Sequence, residues 1–428
     1  MKVLKFFIFS ALFFVFSFIL AFLLKDDANS YSRVLTREFY KQENIDILLC
    51  GASHVSHGLD PRIADVQFGK NTFNSGTPNQ NINGTLAIVK QALKKYKVST
   101  IFLESDFATT CREEQSHRRM GTSDLIVASF LKDPVIKWEF IKRSSSPDNI
   151  FNALLPIGKD KLMTLSPKKT FKKFKSIITG EFFEYKYGDK DSGYAGKGCV
   201  LDYEEIKNGT YSNDHYESPF LPVAQNWKSH VEQIAKLCKE NNVELIFYSM
   251  PCSDFYLHEK GDYDVFYEEL NSYIHDLGYE YYDFNLCKKA YQMEDNDYSD
   301  DNHLNAKGIE KFSRMFCDFF TGKVSKDDLF HKSYREKIMA QESRIYGLLI
   351  IKAENGKNFE IIPMTNINDK SCITYDVSIK NQNGISVLAE NTKTLVHELP
   401  AGTSGKILVK SYVNGVLNNS VSENYVSF

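Results

Sequence analysis

None of the eight cysteines stands in a Cys-x-x-Cys pair, so the spacing of a zinc or dithiol redox motif is missing. An excess of one charge is missing too. Lys and Arg number 52 against 55 Asp and Glu, and the formal charge of −3 removes any global electrostatic case for nucleic-acid binding. Internal repeats and low-complexity tracts are absent. Only one long apolar run occurs, so one membrane crossing at most is expected. The 43% hydrophobic and 25% charged residues are ordinary for a folded chain and exclude disorder, collagen-like structure and a small disulfide scaffold. At 428 residues the chain has room for two or three domains.

What is abundant is aromatic: 24 Tyr and 32 Phe. That suits a sugar-facing surface, and an AT-rich genome gives the same bias. The apolar run spans Phe6 to Leu24 without charge or proline. At about 1.5 Å per residue it is about 28 Å long as a helix, close to the hydrocarbon core of a bilayer. Lys2 and Lys5 precede it; Lys25, Asp26 and Asp27 follow. The positive-inside rule then puts the N-terminus in the cytoplasm and the rest of the chain outside. The rival reading is a cleaved signal peptide, which needs a short apolar core and a small-x-small site. This core is long, and Leu20-Ala21-Phe22-Leu23-Leu24 offers a poor site. The expectation is a single-pass anchor over residues 1–27 with an extracellular remainder. Outside the cell disulfides are permitted, but their connectivity cannot be read from spacing. Cys50, at the end of an apolar strand, reads as a packed thiol.

Beyond the anchor, strands alternate with amphipathic helices. Residues 44–50, a piece ending at Phe73, then 98–103, 243–248 and 279–284 read as buried strands; 82–96, 224–241, 263–277 and 305–320 read as helices. This rhythm predicts an α/β fold with a doubly wound parallel sheet over residues 28–335. It breaks between 107 and 222, which is too long for a connection and reads as a helical insertion or lid. The insertion holds Lys159, Lys161, Lys168, Lys169, Lys172, Lys173 and Lys175 interleaved with Phe171 and Phe174. A basic face for anionic polymer or lipid headgroups is one reading; a solvated helix with an aromatic core edge is the favoured one. From 340 to 428, short alternating segments separated by turns such as Glu354-Asn355-Gly356, Asn381-Gln382-Asn383-Gly384 and Asn414-Gly415 predict a separate β-sandwich.

Three segments fall at strand-to-loop junctions, where doubly wound sheets place their sites. Gly51-Ala52-Ser53-His54 puts a serine on a tight turn after a buried strand; taken alone it is more often a plain turn or helix cap. Asn74-Ser75-Gly76-Thr77-Pro78-Asn79-Gln80 offers a glycine for close backbone approach and side-chain amides, and alone it reads as a polar turn. In Ser299-Asp300-Asp301-Asn302-His303-Leu304-Asn305-Ala306-Lys307-Gly308, an Asp three residues before a His can reach the imidazole and fix its tautomer. An acidic helix cap with a surface histidine is the plainer alternative. Asp295, Asp297, Ser299 and Asp301 imitate a calcium loop. That loop needs Gly sixth and Glu twelfth, where Asp300 and Ala306 stand, so calcium is not expected.

Together, and in this order, the three segments resemble the SGNH (GDSL-like) hydrolase superfamily over roughly residues 44–322. More narrowly, the chain resembles the membrane-anchored extracellular branch that acts in alginate and cellulose acetylation and assists teichoic acid D-alanylation. Gly51-Ala52-Ser53-His54 with His57-Gly58-Leu59-Asp60-Pro61, and Asp-Asn-His-Leu-Asn-x-x-Gly from Asp301, carry the likeness. The resemblance implies Ser53 as nucleophile, His303 as general base and Asp300 as its orienter, with the Ser53 and Gly76 N–H groups as oxyanion donors. Where the family has Gly-x-Asn-Asp, this chain has Leu103-Glu104-Ser105-Asp106. The third donor is then assigned to Asn79. The resemblance further implies a serine O-acyltransferase, expected to carry acetyl, acting on a cell-surface polysaccharide. A polysaccharide acetyl-esterase with the same triad and a non-catalytic adaptor are the alternatives. No cofactor and no metal are expected. A membrane-bound O-acyltransferase is implied as partner, and the β-sandwich as a carbohydrate-binding module or a spacer.

Overall fold

A computed structural model describes residues 2–25, 31–113, 120–150, 165–182, 193–206, 222–353, 356–399 and 404–426. Asp26, Asp27, Lys159, Lys161 and the turn residues Glu354 and Asn355 lie outside the described residues. The architecture is mixed α/β, with a central parallel sheet, one apolar N-terminal helix and C-terminal antiparallel sheets. By contacts the chain divides into two units: Met1–Leu201 with Ala224–Phe247, and Asp202–Val223 with Tyr248–Phe428.

The first unit begins with the apolar helix Lys2–Leu24. Its stretch Val3–Leu24 has a mean hydropathy of 2.8 and is not buried by protein, so it is long and apolar enough to cross a membrane. The sheet follows. Strand β1 (Ile47–Cys50) lies between β2 (Thr72–Asn74) and β3 (Thr100–Glu104), parallel to both; Leu48 pairs with Phe73 on one side and Ile101 on the other. Every residue of these three strands is buried. Continuous burial of this kind belongs to a parallel sheet covered on both faces, and the run Ile47-Leu48-Leu49-Cys50 has no alternation for that reason. One cover is the helix Tyr31–Lys41, whose Phe39 ring meets Phe73, Tyr96 and Phe130 at 5.4, 5.2 and 4.6 Å. Another is Ile82–Lys95, opened by Asn81, whose side chain accepts the Gly84 N–H at 2.8 Å.

Within the insertion, the described residues form the helices Thr122–Phe130, Pro134–Ser144 and Pro167–Ile178. They also form a hairpin that the helical reading does not contain, β4 (Tyr194–Gly196) with β5 (Cys199–Val200). The hairpin docks on the edge strand β2. The Asn74 N–H donates to the Lys197 carbonyl at 2.9 Å, and the Lys197 ammonium pairs with Asp65. Gly198 has φ +89°, and any Cβ there would strike the Asn74 carbonyl. The turn therefore needs glycine on both counts. Strand β6 (Glu244–Ser249), reached through the helix Gln225–Glu240, is the fourth of the five strands in the order β2-β1-β3-β6-β7, with β7 at Tyr281–Asp283, and carries the chain from the first unit into the second.

The second unit holds β7 (Tyr281–Asp283), the helices Asp254–Glu259, Tyr263–Asp276 and Ala306–Phe320, and the C-terminal sheets. Those strands are β8 (Ile345–Lys352), β9 (Asn358–Thr365), β10 (Ile373–Asn381), β11 (Gly384–Thr392), β12 (Val396–Glu398), β13 (Gly405–Val413) and β14 (Val416–Val426). They make an antiparallel sheet β11-β10-β13-β14 and a second, β12-β9-β8. Both contribute to one core that includes Leu348, Ile350, Phe359, Ile361, Val377 and Val409, a sandwich arrangement. The residues Leu-Asn-Asn-Ser-Val-Ser-Glu within β14 have too little apolar alternation to announce a strand. The partner of β14 is fixed by the two-residue turn Asn414-Gly415, both at positive φ, 51° and 76°.

The helix Tyr334–Ala340, which leads into the sandwich, is tied to Asp254 by a buried ion pair. Asp254 accepts from Lys337 Nζ at 2.7 Å, Gln341 Nε2 at 2.9 Å and Tyr334 Oη at 3.1 Å. Both charged side chains are only 4% exposed. Burial opposes the Asp254 charge, but Lys337 outweighs it and holds the carboxyl below its usual range. Beside it Phe255 packs on Tyr346 and Leu349 of β8, and Gly347 leaves room for the Phe255 ring.

All eight cysteines are free thiols. Burial pushes Cys50 up to about 12, so it is a packed thiol and not a nucleophile.

Candidate functional site

Ser53 follows β1 by way of Gly51 and Ala52 and opens the four-residue helix Ser53–Ser56. Of residues 51–56, Ser53 alone is not buried. The chain can make this turn because residue 51 is glycine: a Cβ there would sit 2.5 Å from Glu104 Oε2. The turn is pinned from three sides. The Ala52 N–H donates to Glu104 Oε2 at 3.3 Å. Asn74 Nδ2 donates to the Val55 and Leu59 carbonyls at 2.6 and 3.0 Å. Gly76 packs against it so closely that a Cβ would lie 2.5 Å from the Ala52 carbonyl oxygen. The Gly76 N–H donates to Asn74 Oδ1 at 3.0 Å, so a role as oxyanion donor requires that bond to be shared. Asn79 is exposed, at φ 49°, on the turn closed by the Gln80 N–H on the Thr77 carbonyl.

His54, next to the serine, is fully enclosed, and its partners come from the end of β3. Nδ1 lies 3.2 Å from Glu104 Oε1 and 3.0 Å from Asp106 Oδ2, with all three side chains buried. Burial disfavours the imidazolium, but the two carboxylates outweigh it and hold His54 well above its usual pKa. Asp106 is held down by His54 and Thr109 against its burial, while burial and Asp106 push Glu104 up. Among the described residues this is the group that could hold a metal ion, with one imidazole nitrogen and two carboxylate oxygens as ligands. A proton on Nδ1 satisfies the same geometry. Sequence reasoning missed the cluster because its members are 50 positions apart and each looks like an ordinary turn residue. The signal was Leu103-Glu104-Ser105-Asp106 itself, two acids at the end of a buried strand. Where the resembled family has an asparagine segment, this chain has the acids that fix the serine turn.

The Asp-x-x-His segment lies in the second unit, on the loop before the helix Ala306–Phe320. The loop is bridged by Tyr298 and Leu304, and the Ser299 N–H donates to the His303 carbonyl at 2.9 Å. Asn305 caps the helix by accepting the Gly308 N–H at 3.0 Å, and its amide donates to the Asn296 and Tyr298 carbonyls at 2.8 and 3.2 Å. Gly308 passes against the Asp297 backbone, where a side chain would collide. Thus Asn305 and Gly308 are structural, and they hold the loop that carries His303. The Asp297 carboxylate, part of the calcium-like spacing, pairs with Lys307 and Lys311 at 3.2 and 2.8 Å.

On this loop Asp300 and His303 meet. His303 Nδ1 is 2.9 Å from Asp300 Oδ2 and 3.1 Å from Oδ1, and the imidazole is 23% exposed. Burial opposes the Asp300 charge; the His303 ring and the Asn302 and His303 N–H groups overcome it and hold the carboxyl at about 2. An ionised carboxylate only accepts, so Nδ1 carries the hydrogen and Nε2 is the basic nitrogen. Next to it, burial and then the Asp300 and Glu259 charges push Asp301 up to about 7.

No protein-family model matches the chain. No curated protein matches it either. A solved structure of a "putative acylhydrolase" from Bacteroides fragilis NCTC 9343 is similar at 9% identity with a TM-score of 0.31, covering 68% of this chain and 95% of its own.

Proposed function

We propose that the protein is a membrane-anchored serine O-acyltransferase that works outside the cell on a surface polysaccharide through an acyl-Ser53 intermediate. The observation that carries this reading is the Asp300 carboxylate on His303 Nδ1, which leaves Nε2 as a base. The partly exposed Ser53 on its pinned turn supports it.

Ser53 Oγ attacks the carbonyl of a donor ester while its proton passes to His303 Nε2. The oxyanion takes hydrogen bonds from the Ser53 and Gly76 N–H groups and the Asn79 amide; losing one such donor costs about 10²–10³ in rate. Collapse expels the donor alcohol, which takes the proton back from Nε2. An acceptor hydroxyl then attacks acyl-Ser53 and its proton goes to Nε2; the Ser53–acyl bond breaks, Nε2 returns that proton to Ser53 Oγ, and the new ester leaves. A sugar hydroxyl as acceptor makes a transferase and water makes an esterase, so transfer requires water to be kept out. The insertion is the candidate lid. The apolar N-terminal helix favours transfer, because it holds the site beside an acyl supply at the membrane, where a membrane-bound O-acyltransferase is the partner that fits. The C-terminal sandwich serves in this reading as a polymer-binding module or as a spacer.

The test is covalent labelling with a fluorophosphonate, followed by assay with an acetyl-ester donor and an oligosaccharide. Wild type is expected to label and to yield acetylated sugar; Ser53→Ala and His303→Ala are expected to do neither. Free acetate without acetylated sugar makes the protein an esterase. An unlabelled wild type overturns the enzyme reading and leaves an adaptor.

A further inference from the structure

The lysine-rich helix Pro167–Ile178 is bolted to the end of the apolar N-terminal helix. Lys173 is 2% exposed, and its ammonium donates to the carbonyls of Phe22 at 2.5 Å and Lys25 at 2.9 Å. Both carbonyls lie at the C-terminal end of that helix, where a cation complements the negative end of the helix dipole. The joint is reinforced by rings. The Lys173 ammonium lies 4.7 Å from the Phe22 centroid and 5.3 Å from that of Phe182, and the two rings meet edge-to-face at 5.6 Å. The Arg33 guanidinium covers Phe182 at 4.1 Å. The helix is thereby fixed at the level where Leu24 ends the apolar run and Lys25 begins the polar chain.

Its outer surface does not suit water. Phe171, Phe174 and Ile178 are 69%, 48% and 69% exposed. Spacings of three and four put them on one stripe of the helix. Lys168, Lys169, Lys172 and Lys175 are exposed too; Lys168 and Lys175 border the stripe, and Lys172 and Lys169 lie farther round the helix. A short helix with aromatic and aliphatic side chains on one outward stripe and lysines beside it is the pattern that lies in a bilayer interface, apolar groups in the acyl boundary and ammonium groups among the phosphates. Such a stripe facing solvent on a free-standing protein has no compensation. At the mouth of a membrane span it has a lipid surface within reach.

We infer that Pro167–Ile178 is an interfacial helix, with Phe171, Phe174 and Ile178 immersed in the leaflet where the N-terminal span ends and its lysines on anionic headgroups. The inference rests on Lys2–Leu24 crossing the membrane and is independent of the chemistry at Ser53. It replaces the reading of this segment as a solvated helix. Its effect is to give the first unit a second membrane contact, so that the unit is held against the lipid instead of swinging on a single tether.

The experiment uses the full chain in vesicles of phosphatidylcholine with or without phosphatidylglycerol. The partly exposed Cys111 and Cys372 are replaced by serine, and a polarity-sensitive fluorophore is placed at Phe174→Cys, at Ile178→Cys, at Lys169→Cys on the polar side, or at Phe14→Cys within the span. The expected result is blue-shifted emission at 174 and 178, quenched several-fold more by shallow spin-labelled lipid than emission at 169, and deepened by phosphatidylglycerol. Replacing the four exposed lysines by glutamine is expected to remove the phosphatidylglycerol effect. Quenching at 14 with water-like emission at 174 and 178 overturns the interfacial helix alone. No quenching at 14 overturns the span and the inference with it. Indifference to lipid together with a response to soluble polyphosphate also overturns it, and assigns the lysines to a polyanion.

Discussion

Asp300 grips His303 twice: both carboxylate oxygens lie on the imidazole Nδ1, and Oδ1 also accepts the His303 backbone N–H at 2.7 Å. The ring is therefore fixed in tautomer and in direction. Asp300→Asn keeps the shape of this contact but allows the wrong tautomer. Fluorophosphonate labelling of Ser53 and turnover of an ester donor are expected to fall roughly 10²–10⁴-fold, with the thermal midpoint little changed. The carboxyl is held at about 2, so the deficit is expected to be the same at every assay pH above about 4. Equal labelling of the variant and wild type would remove Asp300 from the mechanism.

Gly76 is expected to matter through the Ser53 turn. In Gly76→Ala the new methyl would sit 2.5 Å from the Ala52 carbonyl oxygen and 3.0 Å from the Ser56 nitrogen, so the turn must move. A shift of about 1 Å in a nucleophile costs about 10² in rate. Labelling rate is expected to fall by that order while circular dichroism stays that of wild type. A wild-type labelling rate would mean that the turn yields without moving Ser53.

The His54 cluster predicts an alkaline weakness. A histidine whose folded pKa lies above its unfolded value, about 6.5, contributes stability that is complete below that value and is lost as pH rises through the folded pKa. Melting temperature is thus expected to fall on the alkaline side, well above pH 6.5. His54→Asn removes the cation between two buried carboxylates, and is expected to be less stable at neutral pH by roughly 3–5 kcal/mol and to have a flatter alkaline limb. Melting curves of both proteins across pH check this; parallel curves would disprove it.

In the second unit, Lys337→Met is expected to strand the buried Asp254 carboxylate and cost about 3–5 kcal/mol. Adding Asp254→Asn should recover much of that loss, which urea unfolding can read. The depressed Asp254 pKa also sets a direction with pH: its contribution is present above about 3.8 and is lost as pH falls through the folded value.

Periodic apolar patterning made the sheet strands and long helices legible: 82–96 was expected and Ile82–Lys95 is found, 224–241 and Gln225–Glu240. Asp300 with His303 was legible because a three-residue spacing on a capped loop is a local property. The His54 cluster was not, since Glu104 and Asp106 reach it only after β1 and β3 pair. Neither was the grip of Lys173 on the N-terminal helix, which joins positions about 150 apart, nor the Tyr194–Val200 hairpin, whose shape depends on the β2 edge it covers.

That hairpin has a consequence for biogenesis. An outermost strand with open N–H and C=O groups invites another chain to pair with it. The segment that shields β2 is synthesised long after β2 itself, so a nascent polypeptide ending before Gly198 carries an adhesive border. Fragments truncated there are expected to self-associate through β2, and those ending just past Val200 to do so less, since only the β3 edge that β6 later covers is still open.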